Sequence, residues 1–478
     1  MDQVDDWTND SQNPNNWPFW KRGSIVGISL SFTMLATMSS SIVAPVLPQI
    51  ATEFGIHSIT LNNMVFSIFT LALSFGPLVF HPLSEVFGRL WVFHTGAFLL
   101  VVFNIACAYA PSTATLIIFR FLAGLGGSAM HVSTAILVDV FHRHRRMVAS
   151  STSTIAIFIG SSVGPVIGGK ITEEIGLKWI FLVPGIACGV MGILGAVLLR
   201  ETYAPLLRHR KYRKQRLDAE QHLQLFGDFD KPVIHFKRVM KHALIRPFKI
   251  PFTHFMCSVL LLYVGLSNTF HPGIYYLMLA TFPVVFQGVY SFSASETGLA
   301  YLGPSAGIFL SVGSVVFLHR IFGHLPRKAS SGTKGDPRIL MLLCTALTVP
   351  VGLFIYGWTV QARIHFIAPI IGAGYFTFTM AAIFLPVQYY LVDVITVLHP
   401  ASGMAAVSIT RFTFGFAFPL FGQQMLDNMG NGAGYSMLAG LTIILGIIIP
   451  SIAYFFDGSK GIRLFSMPVS RTIIDTTE

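Results

Sequence analysis

The sequence predicts an all-α integral membrane protein with twelve transmembrane helices in two six-helix halves. Three observations predict it. Apolar residues fill 53% of the 478 positions and charged residues only 11%, less than half the charge of ordinary soluble proteins. Apolar runs of about 18 to 27 residues, enough to cross a hydrocarbon core about 30 Å thick, recur along the whole chain. One long hydrophilic stretch, residues 200–250, separates these runs into six and six.

Residues 1–22 form a polar, acidic tail with no apolar core ahead of a small-residue cleavage site, so no cleavable signal peptide is expected and the first span, 23–45, acts as its own targeting signal. The second span, 61–80, runs into the punctuated stretch "GPLVFHPLSEVFGRL", and the third, 91–110, runs from there to "YAPST". The fourth, 113–138, starts behind Ser112 and stops before the basic run "HRHRR" at 142–146. The fifth, 149–171, contains the glycine-rich "GSSVGPVIGG", which punctuation rules alone would make a loop. The sixth, 179–199, completes an amino-terminal half over 23–199.

Residues 200–250 read as a basic linker, in which "RLDAEQHLQLF" is expected to be either a short amphipathic helix or solvated chain. The carboxy-terminal half, 251–456, holds spans at 252–286, 297–318, 338–359, 364–392, 402–424 and 433–456, followed by a tail over 457–478. The stretch 252–286 is long for one crossing and is expected to tilt or to extend beyond the bilayer past Pro272. Two six-span halves meeting at a midplane cavity is a frequent design among secondary transporters.

About 27 of the 32 Lys and Arg residues lie in the tails or in the loops after spans two, four, six and eight. The positive-inside rule therefore places both termini in the cytoplasm. That placement accounts for the net charge of +11 and for the runs "RHRKYRKQR" and "HRHRR" without any nucleic-acid partner; contact with anionic lipid is the secondary effect expected of them. Cys107, Cys188, Cys257 and Cys344 all lie in apolar spans with no metal-type spacing, so they read as buried single thiols and no metal or other cofactor is expected. The sequon at Asn9 falls in the cytoplasmic tail and is expected to go unused.

Arg120 lies about two turns into span four, where insertion scales put the cost of a charge at about 2.5–3.5 kcal/mol, so it must face protein or water. His131, eleven residues and about three turns further on, falls on the same helical face, with Gly124 leaving space between them. Every carboxylate falls in a tail, a loop or within about one turn of a span end. The candidates for proton or substrate coupling are therefore Arg120, His131, Asp139 and His271, with Asp393 a further acid at a span end. Asn268, Tyr275, Gln388 and Tyr389 offer polar and aromatic groups among apolar neighbours, the makeup of a pocket for amphipathic organic molecules; for Tyr275 and Tyr276 an interfacial tyrosine belt is the alternative. Gly160, Gly164 and Gly168 are spaced by four, so they share one helical face and let another helix approach closely. Pro165 among them is expected to bend the span. "GLGGS" lacks the strand and lysine of a phosphate loop, and nothing in the chain suggests an enzyme.

"GPLVFHPLSEVFGRL", "LIIFRFLAGLGGS" and "GSSVGPVIGG", in that order and on those spans, resemble the inter-span gating motif, the arginine motif and the antiporter motif of the major facilitator superfamily. "NPNNWPFWKR", "ETYAPLL" and "RPFK" are similar to the fungal branch of its drug:proton antiporters, a resemblance covering nearly the whole chain. It implies a gating latch at Glu85, Gly88 and Arg89, in which Glu85 and Arg89 can pair with each other. It implies proton coupling through Arg120, and an antiporter signature at Gly160, Gly164, Pro165, Gly168 and Gly169. The chain departs from the gating pattern at His81, where glycine is usual, and at Leu90, where a basic residue is frequent. A bulky His81 is expected to loosen the latch or make it pH-sensitive. The expected function is proton-coupled export of small organic compounds, driven by gradients, by a monomer in the plasma membrane. A narrow organic-acid or single-metabolite carrier is the alternative, and a non-transporting sensor the third reading.

Overall fold

Every regular element among the described residues is helical. The computed structural model describes residues 7, 10–141, 146–220, 255–322, 347–398 and 400–448, and the side chains at 146–151, 213–220, 255–269, 315–322, 384–398, 400–407 and 447–448 lie outside that description. In chain order the helices are α1 (Phe19–Ser41), α2 (Leu47–Glu53), α3 (Ile59–Val86), α4 (Arg89–Ala108), α5 (Thr113–Gly127), α6 (Met130–Val140), α7 (Arg146–Glu174), α8 (Trp179–Leu198) and α9 (Ala204–Glu220). There follow α10 (Phe255–Gly288), α11 (Ala294–Ala300), α12 (Leu302–Phe322), α13 (Val349–Gln361), α14 (Ile367–Leu398), α15 (Pro400–Met429) and α16 (Asn431–Ile443). Six stretches among the described residues are long and apolar enough to cross a membrane: Phe19–Glu53, Ile59–Val86, Arg89–Ala108, Thr113–Val140, Thr152–Glu174 and Trp179–Leu198.

The predicted spans all meet helices, but three are subdivided. The first stops at Ser41; a 3-10 turn over Ala44–Val46 and the short α2 complete it, because Pro45 and Pro48 have no N–H to continue the α-helical ladder. The fourth divides at Ser128–Ala129 into α5 and α6. There the N–H groups of Ala129, His131 and Val132 bond three residues back, to Gly126, Ser128 and Ala129. Each residue of such a turn advances the helix face by about 20° more than an α-helical one does. The eighth divides at Tyr301 between α11 and α12. The seventh is one unbroken helix of 34 residues that runs through Pro272, about 51 Å at the α-helical rise. In the linker, α9 starts at Ala204, contains the basic run itself and reaches Glu220 within the expected stretch 216–226, whose remainder lies outside the described residues.

The chain divides into two compact units, Met1–Arg246 with Leu279–Leu299, and Pro247–Met278 with Ala300–Glu478. In the first unit α1 is central. Two of its buried threonines bond back along their own helix, Thr33 donating to the Ser29 carbonyl at 2.9 Å and Thr37 to that of Thr33 at 3.0 Å. The glycine face predicted for span five lies on α1. A side chain at Gly160, Gly164 or Gly168 would run into the main chain of Met34, Met38 or Ile42, so the close approach of the two helices requires glycine there. "GSSVGPVIGG" is thus helix, and α7 runs through Pro165. The end of α10 is held in the same unit, Gln287 donating to the Pro45 carbonyl at 2.7 Å, and Glu173 of α7 accepts from the Ser295 N–H at 2.8 Å.

Candidate functional site

The latch residues assemble where α3 ends and α4 begins. Gly88, at φ +97°, has no side chain with which to cap α4, and a Cβ there would collide with the Glu201 carboxylate. Glu201, from the segment after α8, supplies the missing cap. Its carboxylate accepts from the main-chain N–H groups of Arg89 (3.0 Å), Leu90 (3.2 Å), Thr202 (3.1 Å) and Tyr203 (2.9 Å). A buried anion is thereby set against the positive end of the helix dipole.

Arg89 does not pair with Glu85. Its Nε donates to Asp139 Oδ2 at 3.2 Å, its Nη1 to Ser84 Oγ at 2.6 Å, and its guanidinium lies over the Tyr203 ring at 4.8 Å. The i,i+4 alternative loses because the turn between the two helices points Arg89 along α4, toward the end of α6. Asp139, expected among the coupling residues, is thus the partner of Arg89, one of the residues expected to form the latch. Burial, and then the Glu85 and Asp139 carboxylates, push the Tyr203 hydroxyl above its ordinary range, with Arg89 opposing them.

The amino-terminal tail reaches the same unit. Asp10 pairs with Lys211 of α9, the Arg208 guanidinium lies 4.9 Å over the Trp7 ring, and Asn13 donates to the Trp7 carbonyl at 2.9 Å. The hydrogen bond from Lys211, and then that from the Gln12 N–H, hold the Asp10 carboxyl below its ordinary value of 3.8. A lowered folded-state value gives stability that is present above 3.8 and is lost as pH falls from there through the lowered value. Hydrogen exchange of residues 10–17, corrected for intrinsic rates, is expected to accelerate in acid below that value by about two- to fivefold, the scale of a partly exposed ion pair. Lys211→Met is expected to show the faster exchange at every pH.

Arg120 is fully buried. Its Nη1 donates to the Ser39 carbonyl at 2.8 Å, its Nη2 to that of Ser40 at 3.2 Å and its Nε to that of Val65 at 3.3 Å, while the guanidinium faces the Phe69 ring at 4.8 Å. Ser39 and Ser40 lie in the last turn of α1, whose carbonyls have no intrahelical donor. Arg120 is thus the cationic cap of α1 and ties it to α3. Ser39 also donates to Asn104 Oδ1 at 2.9 Å, and Asn104 to the Leu100 carbonyl at 2.8 Å; the hydrogen bonds of Arg120 itself go to main-chain carbonyls.

The polar stripe expected to join Arg120 to His131 crosses the tight turn at Ser128–Ala129. Each 3-10 residue there adds to the helical rotation, so a shared face does not follow from the α-helical period. Gly124 leaves no open space, because α3 fills it: a Cβ there would meet the Phe69 carbonyl oxygen at 2.6 Å. His131 faces His81 of α3, ring centroids 6.2 Å apart. Among the antiporter-motif residues, Gly169 has its Cα face against the Ala294 carbonyl and the Pro165 carbonyl lies against Gly298.

In the second unit, His271 and Tyr275 lie one turn apart on α10 and both are buried, which removes Tyr275 from an exposed interfacial belt. Tyr275 meets Tyr276 edge to face at 5.7 Å, and Phe270 meets Phe418 of α15 at 5.2 Å. The side chains of Asn268, Gln388, Tyr389 and Asp393 lie outside the described residues. Sequence reasoning missed Glu201, Ser84, Asn104 and the two serine carbonyls. The bare Gly88 before a helix was a signal that some acceptor must arrive, though not from where.

The profile described as Major Facilitator Superfamily matches residues 30–420. The efflux pump radE of Floropilus chiversii is 35% identical over 470 residues, covering 97% of this chain and 85% of that one. An uncharacterized transporter of Schizosaccharomyces pombe is 34% identical over 462 residues, covering 96% and 92%. The xylose transporter XylE from E. coli, in a partially occluded inward open conformation, shares the fold with a TM-score of 0.65 at 15% identity, over 91% of this chain and 98% of that one. With a profile across most of its length, full-length relatives above 30% identity and a shared helical fold, the chain belongs to the Major Facilitator Superfamily.

Proposed function

We propose that this chain is a proton-coupled exporter of small organic compounds that works by alternating access. The observation that carries the reading is the glycine face of α7 seated on α1, the geometry that the antiporter signature requires. The similarity to an efflux pump over nearly the full length supports export. A fold shared with a proton:xylose symporter supports coupling to protons. Arg120 gives no support to the organic-acid alternative, because its guanidinium is engaged by main-chain carbonyls. In this reading the protein is a monomer in the plasma membrane with both termini cytoplasmic, divided near residues 200–250 into two rocking halves.

Purified protein in liposomes, given an imposed pH gradient of two units and a panel of lipophilic cations, neutral drugs and organic acids, tests the reading. Gradient-driven flux of at least one amphipathic compound is expected. An absence of such flux across the whole panel overturns it.

A further inference from the structure

His81 occupies the position at which the gating pattern usually has glycine, and it faces His131 across the α3–α6 seam with ring centroids 6.2 Å apart. Both residues are half-buried, and His131 Nε2 is buried. Each neutral imidazole carries one nitrogen that can take a proton, and rings this close act on each other's charge.

We propose that His81 and His131 together form the proton-binding site of this carrier. The proposal rests on the proton-coupled reading above. The step is a protonation alone: a nitrogen lone pair on one imidazole takes the proton, no other bond forms or breaks, and the pair gains one positive charge.

The surrounding charges tell that proton what to do. On α3, Glu85 lies one turn beyond His81, the i,i+4 position from which a carboxylate supports a cation. At the start of α4, Arg89 is within electrostatic reach of His81 but is held by Asp139, which lies two turns beyond His131 on α6. His94 of α4 points away, its ring against Gly195 of α8. On α5 the one charge is Arg120, engaged by main-chain carbonyls. On α1 the charges, Lys21 and Arg22, lie in its first turn, Lys21 over the Trp17 ring. The described side chains of α7 nearest α6 are neutral, Ser153 sharing a hydrogen bond with Thr134 at 2.9 Å, and the acids and lysine of α7, Lys170, Glu173 and Glu174, lie at its far end. A proton on the histidine pair therefore gains Glu85 as its counter-charge and repels Arg89. It thereby biases the Arg89–Asp139 pair that joins the start of α4 to the end of α6. The usual glycine at residue 81 could do neither.

Two measurements on the full chain test this. In liposomes loaded with rhodamine 6G, the ratio of flux driven by a two-unit pH gradient to counterflow without a gradient is expected to fall at least tenfold in His81→Asn/His131→Asn. A ratio within twofold of the wild type overturns the proposal and leaves the exporter reading intact, whereas a wild type without gradient-driven flux overturns both. Independently of any substrate, the imidazole nitrogen resonances of His81 and His131 are expected to titrate as a coupled pair, His131→Asn moving the midpoint of His81 by at least half a pH unit. Midpoints that ignore each other's removal overturn the shared site.

Discussion

Arg120→Ala is expected to lower the stability of the protein by several kcal/mol and to abolish transport along with it. Two opposing effects decide the size. Removing a charge from mid-span relieves a burial cost of about 2.5–3.5 kcal/mol. Against this, three main-chain carbonyls lose a charged donor, each such bond contributing about 1.5–3 kcal/mol, and the guanidinium leaves a cavity beside Phe69 and Phe181. The second set wins. Arg120→Lys keeps the charge but presents it from a single point, which cannot reach carbonyls on both α1 and α3; it is expected to recover less than half of the loss. Thermal unfolding in detergent, read beside the pH-gradient flux of the surviving fraction, checks both variants. If Arg120→Ala unfolds at the wild-type temperature and loses only the gradient-driven flux, the α1 cap is not what Arg120 is for, and its direct use in proton coupling is.

The reach of the sequence can be judged on these same residues. The spans were legible because lipid imposes one rule, a long apolar run, on every crossing. The face made by Gly160, Gly164 and Gly168 was legible because a spacing of four is itself a geometric statement, although the partner, α1, was not. Partners lie far off in sequence: Arg89 and Asp139 are 50 residues apart, Arg89 and Glu201 are 112. Main-chain carbonyls leave no trace at all, since every residue has one, and so the capping role of Arg120 could not be read. The expected common face of Arg120 and His131 meets a local complication. Extrapolating an α-helical face across eleven residues assumes an unbroken period, and the 3-10 turn beside Gly126 and Gly127 changes that period where the glycines permit it.

Glu201→Ala is expected to be the second most damaging substitution, for the opposite electrostatic reason. Glu201 is an anion, 7% exposed, kept in place by four main-chain N–H donors and the amino end of α4. Alanine leaves those donors without an acceptor in a buried position, at about 1–3 kcal/mol each, and water entering the vacated space recovers a part, so a net loss of about 3 kcal/mol or more is expected. Glu201→Gln separates charge from hydrogen bonding. One amide oxygen can replace Oε1, which serves Arg89, Thr202 and Tyr203, but the amide nitrogen cannot accept from Leu90, so an intermediate loss of about 1 kcal/mol is expected, the scale of a helix-end charge and one bond. Gly88 supplies an internal control. Gly88→Ala adds a Cβ that collides with the Glu201 carboxylate and strains a positive φ; without that carboxylate only the backbone strain remains. Gly88→Ala should therefore cost less in the Glu201→Ala background than in the wild type, a coupling that a double-mutant cycle of unfolding free energies measures. Additive losses would mean that the carboxylate does not occupy the space that glycine leaves. The functional consequence follows from where α4 begins. Arg89 is its first residue, and once that end is uncapped and frayed, the distance from Arg89 to Asp139 is no longer fixed. Asp139→Asn should then add little to the transport defect of Glu201→Ala, while being harmful by itself.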